Sequence, residues 1–193
     1  MVKHSHNRST QHHFGYTRNG AGFTLIEALA AIGIMLVAIV GPLTLASQSL
    51  RSATVAKEQI TTAFLAQEAV ELIRNVRDTN VLEGLSWTNG LSACMGGNNP
   101  PRYCYVDAVA RTITECPTTG TGQNKQNACP VLTYDSTTGS YGHNPAWPDS
   151  IFSRVVRIEE QEPGQEIEVI VTTSWPVGHT TRSFVIRERL LAW

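Results

Sequence analysis

From Phe23 to Leu45 the chain reads FTLIEALAAIGIMLVAIVGPLTL, 23 residues in which Glu27 is the sole charge. About 20 apolar residues in a helix span the hydrocarbon core of a bilayer. By length this stretch is a membrane segment. Before it lie Lys3, Arg8 and Arg18, with no acid up to Gly22, together with His4, His6, His12 and His13. Lysine and arginine stay on the cytoplasmic side, so the body of the chain is expected outside.

Charge narrows the choice of partners. The whole chain carries 15 basic and 16 acidic residues, net −1, and no dense basic stretch interleaves with aromatics. Nucleic acid is therefore not the default partner. Without the basic tail, 12 basic residues face 16 acidic ones and the remainder carries −4.

Three readings of the apolar segment compete. A secretory signal peptide has an apolar run of roughly 7 to 15 residues and a small-residue cleavage site, for which Thr44-Leu45-Ala46 would serve. The run here is too long for that. A plain signal anchor fits the length but leaves Glu27 unexplained, because an acid costs about 2.5 to 3.5 kcal/mol at mid-bilayer and less near the interface.

The third reading accounts for both. Gly22-Phe23-Thr24-Leu25-Ile26-Glu27 resembles the type III signal of type IV prepilins and type II secretion pseudopilins, with glycine before the cut and glutamate fifth in the mature chain. A basic leader, this hexapeptide, an apolar span and a helical continuation coincide. The resemblance implies that a membrane prepilin peptidase cleaves after Gly22 and N-methylates Phe23. It also implies that Glu27 is an assembly contact, and that the chain passes by way of an inner-membrane assembly platform into a helical filament of other pilins. Before assembly it would be a single-pass protein held in membrane lipid, and afterwards part of an extracellular pilus or a periplasmic pseudopilus. Gly41-Pro42 is expected to break the helix, since proline lacks the N–H that would bond Ala38 and its ring clashes there. In this family such a site melts inside the fibre.

Beyond Ser47 the pattern turns amphipathic, with Ile60, Phe64, Leu65, Ala69, Leu72, Ile73 and Val76 at spacings of three and four. Lys57, Glu58, Gln67, Glu71, Arg74 and Arg77 make the opposite, solvated face, and Arg74 with Asp78 allows an i,i+4 pair. The run Phe64 to Glu71 resembles minor pilins and minor pseudopilins more than a major subunit.

Cys94, Cys104, Cys116 and Cys129 are separated by 9, 11 and 12 residues in a stretch rich in Gly, Pro, Asn and Thr. Structural zinc prefers close pairs such as C-x2-C, so disulfides are favoured, and with them an oxidising compartment. Pairing of nearest neighbours, Cys94 with Cys104 and Cys116 with Cys129, is the expectation among three connectivities.

The clearest strands come last: Arg154 to Gln161, Glu166 to Trp175 and Ser183 to Leu191, an antiparallel meander with loops at 162–165 and 176–179. Its register sets Val156 opposite Val171 and Ile158 opposite Val169, then Val171 opposite Phe184 and Val169 opposite Ile186. On the other face Glu168 meets Arg187 and Glu166 meets Arg189. Shorter strands are expected at Tyr103 to Val109 and Val131 to Tyr134.

No catalytic or nucleotide-binding motif is present, and no cofactor is implied. His143 and His179 read as solvated loop histidines. Asp135 reads as a turn residue, and Trp147, Trp175 and Trp193 as buried aromatics. The resulting expectation is an α+β, pilin-like fold: a cleaved leader 1–22, a membrane and assembly helix 23–46, an amphipathic helix 47–80, and a head 81–193. That head combines disulfide-stapled loops (81–150) with the meander (151–193), and the long helix protrudes from it. The function expected is a minor pilin of a type IV pilus. A type II secretion minor pseudopilin is the alternative within the class, and a membrane-anchored adhesin or DNA-uptake receptor the alternative outside it.

Overall fold

Helix α1 spans Leu25–Leu82 in the computed structural model of the chain, which describes residues 22–96, 101–119 and 126–192. Residues 1–21, which hold the basic tail, and Trp193 lie outside the described residues. Two compact units emerge, residues 1–49 and 50–193, with α1 contributing to both.

The C-terminal end of α1 explains itself locally. Gly84 adopts φ +70°, donates its N–H to Val81 O at 3.2 Å, and is followed by Leu85, which donates to Asn80 O at 2.8 Å. This is a Schellman arrangement, in which glycine takes the left-handed residue that ends the helix. Asn80 secures the turn by donating from Nδ2 to Trp87 O and Asn89 O.

Nine strands follow among the described residues: β1 (Cys104–Asp107), β2 (Thr112–Glu115), β3 (Thr118–Thr119), β4 (Gln126–Asn127), β5 (Val131–Asp135), β6 (Ser140–Gly142), β7 (Asp149–Glu162), β8 (Glu166–Val177) and β9 (Thr180–Leu191). Apart from a small β3–β4 ribbon they form one antiparallel sheet. Strand β7 is its hub. One edge pairs with β8 and the other is shared in tandem, by β5 near Ser153 and by β1 at Val156. The expected meander is thus the larger part of a seven-stranded sheet, and the chain adopts the α+β arrangement of a long N-terminal helix followed by an antiparallel sheet.

Residues 62–80 of α1 lie on that sheet, burying Thr62, Leu65, Ala66, Ala69, Val70, Ile73, Arg77 and Asn80. Against them pack Val156, Ile158, Ile167, Val169, Val171 and Leu190. Of the expected apolar stripe, Leu65, Ala69 and Ile73 are buried and Leu72 and Val76 partly so, whereas Ile60 and Phe64 are exposed and Ala66, not part of the expected stripe, is fully covered. Two alanines let the sheet approach the helix closely, and Thr62 is accepted because its hydroxyl bonds Glu58 O while its own carbonyl receives the Thr173 hydroxyl. Arg77, expected on the solvated face, is buried, and Arg74 pairs with Glu71 and Glu188 rather than with Asp78.

In the meander the first hairpin has the expected register, Val156 opposite Val171 and Ile158 opposite Val169. Its turn is a type II one, with Pro163, then Gly164 at φ +71°, and Gln165 N–H to Glu162 O at 3.0 Å; a register shift between Glu160 and Glu162 fits it to the strands. The second hairpin departs from expectation by two residues. Val171 lies opposite Ile186 and Val169 opposite Glu188, because the loop is only Gly178-His179 and not 176–179. Gly178 at φ +63° supplies the primed, two-residue turn that matches strand twist. Proline at 176 is tolerated inside β8 because the β7 pairing has already ended at Ser174. Long side chains still reach diagonally, so Arg187 bonds Glu168 at 3.2 Å and Arg189 bonds Glu166 at 3.0 Å despite the shift.

Candidate functional site: the apolar start of the long helix

Residues 22–24 precede the helix without regular structure, and Gly22 and Phe23 are exposed. A side chain at Gly22 would meet nothing within 4 Å, and the backbone there is not left-handed. Nothing among the described residues requires glycine at that position.

Thr24 caps α1. Its carbonyl accepts from Glu27 N and Ala28 N, both at 3.1 Å, and its hydroxyl lies 3.4 Å from Glu27 N. Glu27 thereby occupies the third helical position, the spacing of a capping box. That Thr-x-x-Glu signal was legible in the sequence and gives the acid a local role besides the expected one. As an anion in the first turn it also faces the positive end of the helix dipole.

From here to Leu50 no residue is buried. Phe23, Leu25, Ile26, Ile34, Val37 and Leu50 each leave more than two thirds of their surface open. A soluble monomer rarely presents a contiguous apolar surface of this size, so it is built to be covered. The helix is long and apolar enough to cross a membrane by length and composition, which is compatible with single-pass anchoring.

At Gly41 and Pro42 the helix runs on unbroken. The expected interruption is not a property of this single chain. Losing one bond to Ala38 is tolerated within a long helix, and the Thr44 hydroxyl bonds Gly41 O at 2.7 Å and Val40 O at 3.2 Å. Melting at this site remains an expectation for an assembled state.

Both disulfides pair nearest neighbours. Cys94–Cys104 joins the 3-10 turn Ser92–Cys94 to β1 with both residues fully buried, and Cys116–Cys129 closes the β3–β4 ribbon.

Three features of the head were not anticipated. Arg154 is completely buried in β7; its guanidinium donates to Leu65 O at 2.9 Å and Val106 O at 2.6 Å, and it meets Glu68. The sequence did carry a signal, since Arg154 falls in the inward alternation of Phe152, Val156 and Ile158. Asp107, also buried, accepts from the backbone N–H groups of Val109, Ala110 and His143. His143 is not a solvated loop residue. Its ring lies edge-on to Tyr105 at 4.7 Å, with Nε2 buried and without a hydrogen bond. Burial, followed by the nearby Arg154 charge, holds its pKa below the usual histidine value. His179 is exposed at its turn, and Asp135 accepts from Thr137 N and the Thr138 hydroxyl in the β5–β6 turn. Trp175 is buried, Trp147 partly so.

No family model, curated protein or solved structure matches this chain.

Proposed function

We propose that the chain is a structural subunit of a type IV pilus, a minor pilin. On this reading it is anchored in the membrane as a prepilin, cut between Gly22 and Phe23, N-methylated, and drawn into a filament through residues 23–50. The observation that carries the reading is the wholly uncovered apolar start of α1, introduced by Gly-Phe-Thr-Leu-Ile-Glu and holding one carboxylate. Gly22 supports it too. Because neither packing nor backbone geometry among the described residues calls for glycine, an external reader of a small residue, such as a peptidase at the membrane surface, is a sufficient reason for it.

Mass spectrometry of the membrane-bound protein tests the proposal. An N-terminal, N-methylated Phe23 is the expected result, and a Gly22→Leu chain should keep its leader. An intact amino terminus in the wild type, or maturation of the variant to the same methylated end, would defeat it. A type II secretion pseudopilin shares every feature invoked here. Recovery of the subunit in sheared surface filaments, at low copy relative to a major subunit, separates the two.

A further inference from the structure

Beside residues 54–61 of α1 the head holds an open groove of about 340 Å³. Its wall is an aromatic corner. Tyr134 and Tyr141 lie 4.8 Å apart with a tilt of 44°, and Phe152 meets Tyr141 edge-on at 5.7 Å. The rim is polar, with Lys57 and Glu58 on the helix side and Asp149 on the strand side. None of these three has an ion pair or side-chain hydrogen bond among the described residues, and neither tyrosine hydroxyl has a partner there.

These features constrain what fits. Apolar faces with a few convergent polar groups describe a small-molecule site rather than a bare surface. Two carboxylates against one ammonium disfavour an anion. The ammonium in turn disfavours a cation, even though aromatic faces would attract one. A neutral ring with C–H groups on its faces and hydroxyls on its edge satisfies both parts, because each hydroxyl can donate to a carboxylate and accept from an ammonium or a phenol. The Tyr141 hydroxyl, like any phenol, is protonated at neutral pH and can donate; burial raises its pKa further.

We propose that this groove binds a neutral pyranose at the end of a glycan, stacked on Tyr134 and Tyr141 and hydrogen-bonded by Glu58, Asp149 and Lys57. It does not rest on the filament reading, since every residue involved belongs to the unit 50–193.

The full chain in amphipol, free of sugar-headed detergent, is titrated with methyl β-glucoside, cellobiose and lactose up to about 20 mM, and saturation-transfer NMR reports binding. Saturable transfer to ring C–H protons from at least one sugar is expected. Tyr141→Ala should weaken it about tenfold, while Tyr141→Phe, which keeps the stacking face, should stay within about twofold. Glu58→Gln, at a helix position outside the core, should weaken it severalfold. Absence of saturable transfer from all three sugars overturns the proposal. So does an affinity unchanged in Tyr141→Ala, or displacement of the sugar signal by a proline-rich peptide or tetramethylammonium at lower concentration. If Tyr141→Ala loses its near-UV circular dichroism, Glu58→Gln decides, and unchanged sugar affinity there overturns the assignment.

Discussion

Arg154 of β7 and Glu68 of α1 form an ion pair of 2.5 Å in which the guanidinium side chain has no exposed surface while the carboxylate side chain keeps 42% of its own. The pair is therefore one-sided: Glu68 connects a buried charge to water. Removing it leaves Arg154 with two backbone carbonyls and a buried Nε that has no partner. Breaking a fully buried pair costs about 3 to 5 kcal/mol; with this much exposure at Glu68, about 2 to 3 kcal/mol is the expectation for Glu68→Ala. Thermal unfolding followed by near-UV circular dichroism should show a midpoint about 5 to 10 °C lower. A change below about a degree would mean that water replaces the carboxylate at no cost.

The two disulfides should differ in consequence. Cys94 and Cys104 sit in the main core, whereas Cys116, though buried, and Cys129 lie outside that cluster and close the β3–β4 ribbon. Serine at both 94 and 104 should cost the 2 to 4 kcal/mol typical of a lost disulfide, about, and add the burial of two hydroxyls. Serine at both 116 and 129 should cost less and leave the near-UV spectrum of the core intact. Equal losses from the two double variants would contradict this ranking.

His143 gives the head a pH dependence of known sign. Its folded pKa lies below the ordinary value because burial and Arg154 disfavour the imidazolium, with Asp107 acting in the opposite sense. The unfolded chain thus binds the proton more readily. Stability from this residue is complete above the unfolded pKa of about 6.5 and is lost as pH falls from there through the lowered folded value. Between pH 7.5 and 5 the unfolding midpoint should fall more in the wild type than in His143→Gln. Parallel pH profiles would assign the acid sensitivity to other groups.

Substitutions at Glu27 separate its capping of α1 from the assembly role proposed for it. As the third residue of α1 with Thr24 as its cap, it contributes locally at most about 1 kcal/mol, and the apolar span does not need it for insertion. Glu27→Val should leave membrane insertion and cleavage intact while its share in sheared filaments falls severalfold, because the carboxylate would pair with the new amine of Phe23 in an apolar interior. Glu27→Gln keeps the size and polarity without the charge. Filament yield equal to wild type in Glu27→Gln would place its role in the cap rather than in a charge pair.

What was legible followed from local chemistry. Alternating Val156, Ile158, Val169 and Val171 around Pro163-Gly164 specify a hairpin and its register without tertiary help. Pairing in the second hairpin was misplaced because Pro176 reads as a loop residue, and only the end of the β7 pairing makes it acceptable in a strand. Periodicity located the amphipathic half of α1 and the middle of its buried stripe, Leu65, Ala69 and Ile73, but not the edges of that stripe. Ile60 and Phe64 outrank Ala66 in hydrophobicity, yet closeness of approach decided the contact. The groove was hidden for another reason: Tyr134, Tyr141 and Phe152 come from three strands, and no sequence spacing brings them to Lys57 and Glu58.

The tandem pairing along β7 also sets an order of events. Its three neighbours enter at residues 104, 131 and 166, and the helix face it must cover ends near residue 80. No closed core exists until Ile167, Val169, Val171 and finally Leu190 have been delivered. Contacts of such sequence separation form slowly. The head therefore crosses a membrane, if the proposed topology holds, as an open chain, and seals only when almost all of it has arrived on the far side.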